Sequence, residues 1–566
     1  MSAPPPRRRA VQHSGAFAAA LALAAGLALV LASPDLNLRP GLAPWSWLLG
    51  YVALAPLCHA IALAPTRRRA ALYGWLTGAA ANLGGFPWII ELLSRHGGLP
   101  MPLAVLGWAL LSAGQGAAFL LFAWLVARVR GVGWARPEGP AAAQPGRWPH
   151  APLVVLAPLC LVTSELLAPM IFPWYMAITQ AWVLPVIQIA DLGGPLAVSA
   201  LLAAVSGGLC DLVYQPSWRR RLLCAGGAAL LVLAALVYGW VRLAEVERAR
   251  ADAPRLAVGL VQSNAALDSR GHARRLSADD QLRALQRVSA ELERAGAEFL
   301  VWPEASYPYA LPQAAGADFP ADSRYRIRRG FDTPLVFGAL TRGPERGAAP
   351  YNSAFLLDRD GALRARYDKT RLVLFSEYIP GVETFPALKA VLPPAAGHFS
   401  RGAGVVTLPL TMPASADAPA RELSLGALIC YEDVLPGMGR EVAARRPALL
   451  VNLTNDTWFG DTAEPWQHLA LAVYRAVEAR ADLVRAVTTG PTSVVASTGA
   501  VLAQTEVIDP ALDPRPAEGL LAEVALTAAG ESFYSRRGDL FGWLCAIAAL
   551  ALALPWPRRR RAQAAS

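Results

Sequence analysis

Cys430 closes the apolar run of ALICYEDVLP (427–436), with Glu432 two residues behind it. The chain has six cysteines, and the other five (Cys58, Cys160, Cys210, Cys224 and Cys545) lie in or beside long hydrophobic stretches. There a thiol serves as a small apolar group. Cys430 alone belongs to a polar region, which holds no second thiol to pair with. Two other segments carry what a sulfur nucleophile needs: VWPEASYP with Glu304, and RYDKTRLVLFSEYIP with Lys369 and Glu377. A thiol with a pKa of about 8.5 is mostly protonated at neutral pH. A carboxylate beside it acts as general base. An ammonium favours the thiolate and then faces the oxyanion of a tetrahedral intermediate, which the backbone N–H of Tyr431 also reaches. An acid, a lysine and a cysteine together suit acyl transfer through a thioester.

These groups must be positioned by the segments that carry them. RLAVGLVQSN (255–264) and EFLVWPE (298–304) read as buried strands that end in polar residues. PLVFGAL (334–340), YNSAFLLDRDG (351–361), ELSLGALIC (422–430), ALLVNLTND (448–456) and VRAVTTGPTSVVAST (484–498) read as further strands. Residues 277–296 carry Leu282, Leu285, Val288 and Leu292 at helical spacing, with Ser277 as N-cap and Gly296 as stop. Residues 465–481 form a second amphipathic helix. Strands alternating with helices, several continuously apolar, indicate sheets covered by helices. In such folds the site lies where strands end. Glu304 and Cys430 are expected as the last residues of their strands, and so near each other.

The chain has 566 residues, 54% hydrophobic and only 17% charged, and the apolar residues crowd into 15–241 and 540–556. A helix crossing the hydrocarbon core needs about 20 mainly apolar residues. The expected spans are 15–33, 46–64, 69–90, 102–127, 152–170, 185–213, 222–241 and 540–556, the sixth interrupted by a Gly-Gly pair. The net charge of +10 is gathered in arginine clusters beside these runs. That is membrane topology, and no nucleic-acid motif accompanies it. Arg7–Arg9, Arg67–Arg69, Arg128 to Arg147, Arg219–Arg221 and Arg558–Arg561 mark every second loop as cytoplasmic. Both termini then lie inside, and residues 242–539 lie on the outer face. The N-terminal run is expected to stay as the first span rather than be cleaved. The organisation is 1–241 transmembrane, 242–535 catalytic, and 536–566 a last helix with a basic tail. A lone thiol in an oxidising compartment is either inert or reactive.

Glu in W-P-E, Lys in Y-D-K and Cys in I-C-Y-E, in that order, resemble the Glu-Lys-Cys triad of the nitrilase superfamily. With NLTNDTWFGDTAEPWQH and the preceding spans, nearly the whole chain resembles the apolipoprotein N-acyltransferases. The resemblance implies an extracytoplasmic α/β nitrilase-like αββα sandwich on a multi-span α-helical membrane bundle of the bacterial inner membrane. It implies Cys430 as nucleophile, Glu304 as base, Lys369 as oxyanion lysine, Glu377 as a supporting glutamate, and Tyr431 and Glu432 as supporting neighbours. The acyl donor would be a phospholipid, typically phosphatidylethanolamine. The acceptor would be the α-amine of S-diacylglyceryl-cysteine on an apolipoprotein. No cofactor or metal is implied, and nothing demands an oligomer.

Trp458 and Phe459 are candidate substrate-pocket residues, with simple packing as the alternative. Phe375, Tyr378, Phe385 and Phe399 fall in a Pro- and Gly-punctuated stretch suited to a lid. His468 and His398 lack metal-site spacing and read as structural. Glu165 falls inside an expected span, where a carboxylate is costly. Two other functions fit the triad segments: a membrane-tethered amidase, against which seven preceding spans argue, and a non-catalytic lipoprotein-binding factor.

Overall fold

The computed structural model describes residues 6–38, 45–135, 144–265, 276–343, 348–381, 384–385, 399–413, 420–527 and 529–554. The N-terminal region is helical, with main elements Pro6–Leu31, Leu54–Leu63, Arg67–Gly85, Met101–Gln115, Ala117–Arg130, Leu153–Leu167, Pro195–Tyr214 and Trp218–Asp252; Leu540–Ala553 returns to it from the far end of the chain. A helix thus occupies each stretch expected to span. Among the described residues, four apolar helical stretches are long enough to cross a membrane: Ser46–Leu63, Met101–Arg130, Pro195–Tyr214 and Trp218–Asp252.

The stretch 185–213 is not one helix. It breaks at Gly194, whose φ of +65° suits a residue without Cβ and whose added Cβ would lie 2.8 Å from the Tyr534 ring. Pro195 then starts the next helix, where its missing N–H costs nothing. Trp218–Asp252 runs well past the expected boundary at 241. At 1.5 Å per residue it is about 52 Å long. Its last turns reach the globular region, where Arg250 donates to both carboxylate oxygens of Asp482 at 3.1 and 2.9 Å.

The globular region contains two sheets. The first holds β1 (Arg255–Gln262), β2 (Phe299–Val301), β3 (Leu311–Pro312), β4 (Leu335–Arg342), β5 (Tyr351–Leu357) and β6 (Leu363–Asp368). The second holds β7 (Thr407–Met412), β8 (Arg421–Ile429), β9 (Leu449–Thr454), β10 (Leu483–Val487), β11 (Ser493–Val495) and β12 (Val501–Gln504). β13 (Glu518–Ala525) returns to pair antiparallel with β1. The first sheet runs β13-β1-β2-β4-β5-β6 with β3 beside β4, and the second β12-β11-β10-β9-β8-β7. The pairs β1/β2, β2/β4, β8/β9 and β9/β10 are parallel, so the ends of β1, β2, β8, β9 and β10 all open toward the site.

Alternation along the strands separates the layers. Phe299, Val301 and Val336 join the core shared with Leu408, Leu425 and Val451 of the other sheet. Leu300, Trp302 and Phe337 point the opposite way, onto Leu282, Leu285 and Leu292 of helix Ala278–Arg294. Helix Glu464–Ala479 joins the core on the far side of the second sheet. The layers are helix, sheet, sheet, helix.

Several expectations need correction. The segment 484–498 is two antiparallel strands, β10 and β11, because the Gly-Pro pair at 490–491 breaks the apolar run. The strands expected before Glu304 and Cys430 end earlier, at Val301 and Ile429. β3, β6, β7, β12 and β13 were not anticipated. Most are short or carry polar residues on one face, as edge strands do; β13, for instance, is open to solvent at alternate positions.

Candidate active site

Cys430 sits at the sharp turn between β8 and a single 3₁₀ turn, Cys430–Val434. Its φ is +50°, a left-handed backbone that few side-chain-bearing residues adopt. Such positions cost on the order of 1–3 kcal/mol and persist where surrounding structure holds them. Two consecutive acids do the holding. Glu432 is fully buried. It accepts from Tyr367 Oη at 2.8 Å, Thr370 N at 2.8 Å, Thr370 Oγ1 at 3.0 Å, Arg371 N at 3.0 Å and Ile429 N at 2.9 Å. It therefore ties the cysteine turn to the loop that follows Lys369. Asp433 accepts from Arg485 Nε at 3.0 Å and pairs with His468 Nε2 at 2.8 Å, tying the same turn to β10 and to helix Glu464–Ala479.

Glu304 lies three residues beyond β2, in a turn where Ala305 has φ +47°. The turn rests on β4 at Gly338, where an added Cβ would fall 2.5 Å from both Ala305 N and Pro303 O. Only glycine allows that approach. Two residues before Glu304, the fully buried Trp302 donates from Nε1 to Ser289 Oγ at 2.8 Å and anchors the segment. Lys369 follows β6 directly, and its backbone N–H donates to Asn352 O at 2.8 Å.

These turns bring one ammonium between two carboxylates. Lys369 Nζ lies 2.8 Å from Glu377 Oε1 and 3.3 Å from Glu304 Oε1. Glu377 is held in turn by Val373 N, which donates to its Oε2 at 2.9 Å. Asn352 Nδ2 donates to Glu304 at 2.6 Å and reaches Glu377 at 3.4 Å. Asn352 was missed from sequence; its signal was an amide inside the otherwise apolar strand YNSAFLL.

The electrostatics follow from that geometry. Burial works against the Lys369 ammonium, but Glu304 and Glu377 outweigh it and hold the lysine well above its usual value. One positive charge cannot neutralise two carboxylates, and the shorter contact goes to Glu377. Glu304 is left under-compensated. Burial pushes its carboxyl up, Lys369 offsets only part of this, and Glu377 adds to it. Burial and Glu304 together push the Cys430 thiol well above its ordinary value. The resting thiol is therefore protonated, within electrostatic reach of a carboxylate whose own proton affinity is raised.

Tyr431 is half-buried, and its hydroxyl donates to Ile171 O of the helical region at 2.5 Å. Phe459 stacks edge-on against Trp88 at 5.2 Å in a cluster with Phe86 and Ile89; Trp458 beside it is half-buried. Phe375 and Phe385 are 59% and 63% exposed. His398 lies outside the described residues. Glu165 is buried and accepts from Met176 N at 2.7 Å.

His468 is not an isolated core histidine. Its Nδ1 pairs with Asp456 Oδ1 at 3.1 Å while Nε2 pairs with Asp433. Burial opposes the imidazolium, yet the two aspartates outweigh it and hold His468 well above its usual value. Asp433 in turn is lowered, because His468 and Arg485 outweigh its burial. Glu464 approaches Nδ1 at 3.7 Å. The donor atoms of Asp456, Glu464 and His468 all lie within 4.8 Å of one another. Both ring nitrogens donate to carboxylates, so the group as it stands is a closed ion cluster rather than an open ligand set.

The same layout appears in known families. The model for the apolipoprotein N-acyltransferase N-terminal domain matches residues 17–208, and that for carbon-nitrogen hydrolase matches 257–507. An apolipoprotein N-acyltransferase of Geobacter metallireducens is 31% identical over 557 residues, 95% of either chain. One of Azotobacter vinelandii is 31% identical over 487 residues, 84% of either chain. One of Bdellovibrio bacteriovorus is 30% identical over 452 residues, 76% of either chain. Matched along nearly its whole length, helical region and α/β region alike, the chain belongs to the apolipoprotein N-acyltransferase family.

Proposed function

We propose that this membrane acyltransferase N-acylates apolipoproteins, with Cys430 carrying the acyl group as a thioester between donor and acceptor. The observation that carries the reading is a half-buried thiol presented on a left-handed turn, with its pKa raised in part by Glu304, and a lysine that bridges Glu304 and Glu377. In the first half-reaction Glu304 takes the thiol proton and Sγ attacks the donor's ester carbonyl. The C–S bond forms and the C–O bond breaks, and the proton on Glu304 leaves with the lysophospholipid alcohol. In the second half, the acceptor amine attacks the thioester, the C–N bond forms and the C–S bond breaks. Glu304 accepts the amine proton and returns one to sulfur. Lys369 and the Tyr431 N–H face the oxyanion in both halves; losing one such donor costs about 3–4 kcal/mol. Glu377 and Asn352 position Lys369 and Glu304. Two substrates using one thiol in turn give ping-pong kinetics.

The membrane arrangement belongs to the same reading. Eight spans (residues 1–241 and 536–566) hold residues 242–535 on the periplasmic face of the inner membrane, and the protein acts as a monomer. The alternating arginine clusters support this orientation. The Tyr431–Ile171 hydrogen bond supports a site that opens against the helical region, where a phospholipid such as phosphatidylethanolamine and a lipid-anchored acceptor both arrive. The deciding experiment incubates purified protein with phospholipid labelled in its acyl chain. Hydroxylamine-sensitive label on Cys430 that chases onto a diacylglyceryl peptide is expected. Label lost only to water would indicate a hydrolase, and full maturation by Cys430→Ala would end the proposal.

A further inference from the structure

Tyr431, the residue after the nucleophile, stands at one end of a chain of hydrogen bonds that runs into the helical region. Its hydroxyl donates to Ile171 O at 2.5 Å. The N–H of that same peptide unit, on Phe172, donates to Gln115 Oε1 at 2.9 Å. Gln115 Nε2 donates to Asn82 Oδ1 at 2.9 Å, and Asn82 Nδ2 donates to Gly78 O at 2.7 Å. Every amide in the chain accepts on one side and donates on the other, and bonds aligned in this way polarise and strengthen one another. Gln115 and Asn82 are buried in the helices Met101–Gln115 and Arg67–Gly85, where an unpaired amide would be costly. The helices meet closely because Gly78 lies on Gly116, where an added Cβ would fall 2.7 Å from Gly116 Cα. Residues 169–174 form no helix or strand that would hold the 171–172 peptide otherwise. Rings follow the same path: Phe172 lies edge-on to Tyr431 at 6.4 Å and to Trp88 at 5.1 Å. A second joint between the two regions lies apart from this chain. There Gln467 Oε1 accepts from Trp88 Nε1 at 3.2 Å, and Gln467 Nε2 donates to Gly85 O at 2.9 Å.

We infer that Gln115, in the apolar stretch Met101–Arg130, is a positioning residue for the acyl-transfer site: through the 171–172 peptide and the Tyr431 side chain it sets where the Tyr431 backbone N–H points. This rests on the acyl-transfer reading. Tyr431 is the first residue past the left-handed Cys430, so fixing its hydroxyl leaves its N–H little freedom to turn from the oxyanion. With Gln115 gone, the 171–172 peptide loses its anchor and the tyrosine its fixed acceptor. A misplacement of about 1 Å from a change far from the chemistry can cost about a hundredfold in rate. The helical region thereby shapes the site as well as holding it at the lipid.

The test uses full-length protein in detergent and the single-turnover rate at which phospholipid labelled in its acyl chain labels Cys430. Gln115→Leu, near-isosteric but without the acceptor, should slow labelling about tenfold and leave the half-saturating donor concentration within about twofold. Tyr431→Phe should slow labelling at least as much. Adding Gln115→Leu to Tyr431→Phe should slow it by no more than about a further twofold, because the link is already cut. Gln467→Leu, at the second joint, should instead multiply with Tyr431→Phe, as independent sites do. Should Gln115→Leu fail to fold, Gln115→Asn, one methylene short of the Phe172 N–H, takes its place in the same comparison. Labelling by Gln115→Leu within about twofold of wild type would overturn the proposal. So would a Gln115→Leu effect that multiplies in full with that of Tyr431→Phe, which would make Gln115 a packing contact. A loss confined to the half-saturating donor concentration would also overturn it, assigning Gln115 to lipid binding, as would equal coupling of Gln467→Leu to Tyr431→Phe. Absence of any label in wild type would instead overturn the acyl-transfer reading itself.

Discussion

Two buried ion clusters flank the Cys430 turn, built from similar residues at similar depth, and they behave oppositely. In front, Lys369 is shared by Glu304 and Glu377, so one carboxylate is always under-neutralised. Behind, His468 and Arg485 set two cations against Asp433 and Asp456. Burial and Asp456 push the third acid there, Glu464, well up, so the rear cluster sets two cations against two ionised carboxylates and keeps Asp433 low and His468 charged. The front cluster is short of one cation and keeps Glu304 high. A matched cluster holds its protons and fixes geometry; an unmatched one has a proton to exchange. Consecutive residues Glu432 and Asp433 lock the Cys430 turn between the two.

The comparison predicts distinct costs. The largest effect is expected for Lys369→Met, which leaves two facing carboxylates and no oxyanion cation. Thioester formation should fall at least a thousandfold, about 4 kcal/mol in barrier; a loss under tenfold would mean that the front cluster is scaffolding. His468→Ala should cost about 3–5 kcal/mol of stability, because it leaves buried aspartates without their partner. Thermal melting in detergent checks this, and activity per folded molecule at low temperature should fall less than in Lys369→Met. If instead turnover collapses while melting is unchanged, the roles of the clusters are reversed. Glu432→Gln places an amide among donors that all point at it and should cost about 1–3 kcal/mol. Its accompanying rate loss reports how tightly the left-handed turn must be held.

The smallest effects are titrations. The base works ionised, so thioester formation should rise with pH through a limb above the usual glutamate value of about 4.3, since Glu304 is raised. Glu377→Gln removes a charge that raises it, so the limb should move to lower pH. Stability gives the complementary sign. Asp433 is depressed, so its contribution is present above the unfolded value of about 3.9 and fades as pH falls through its lower folded value. His468 is raised, so its contribution is complete below about 6.5 and fades only as pH climbs through its folded value. Melting that is insensitive to Asp433→Asn near neutral pH, where the ionised Asp433 contributes in full, would contradict the rear-cluster account.

Much was legible before any coordinates. The hydrophobic runs located the helices, since a membrane or core helix needs a long apolar stretch wherever it ends up. The continuous strands β1, β8 and β9 read correctly because burial on both faces leaves a one-letter signature of Val, Leu and Ile. The edge strands β6, β7, β12 and β13 did not, because their partners, rather than their own residues, make them strands. Trp458 and Phe459 were named from their setting in the chain, but only the fold puts Phe459 onto Trp88, a residue 371 positions earlier.

The linear chain determined which chemical groups were available: one thiol in a polar region, the acids and lysine beside it in kind, and the apolar lengths that demand lipid. What it did not determine was which charges would share a partner. Glu304, Lys369 and Glu377 versus Asp433, Asp456 and His468 are told apart only by a few tenths of an ångström and by what else is buried with them. Electrostatic energy depends on separation and on the loss of water, and neither is written in the order of residues; both exist only once the sheets have closed.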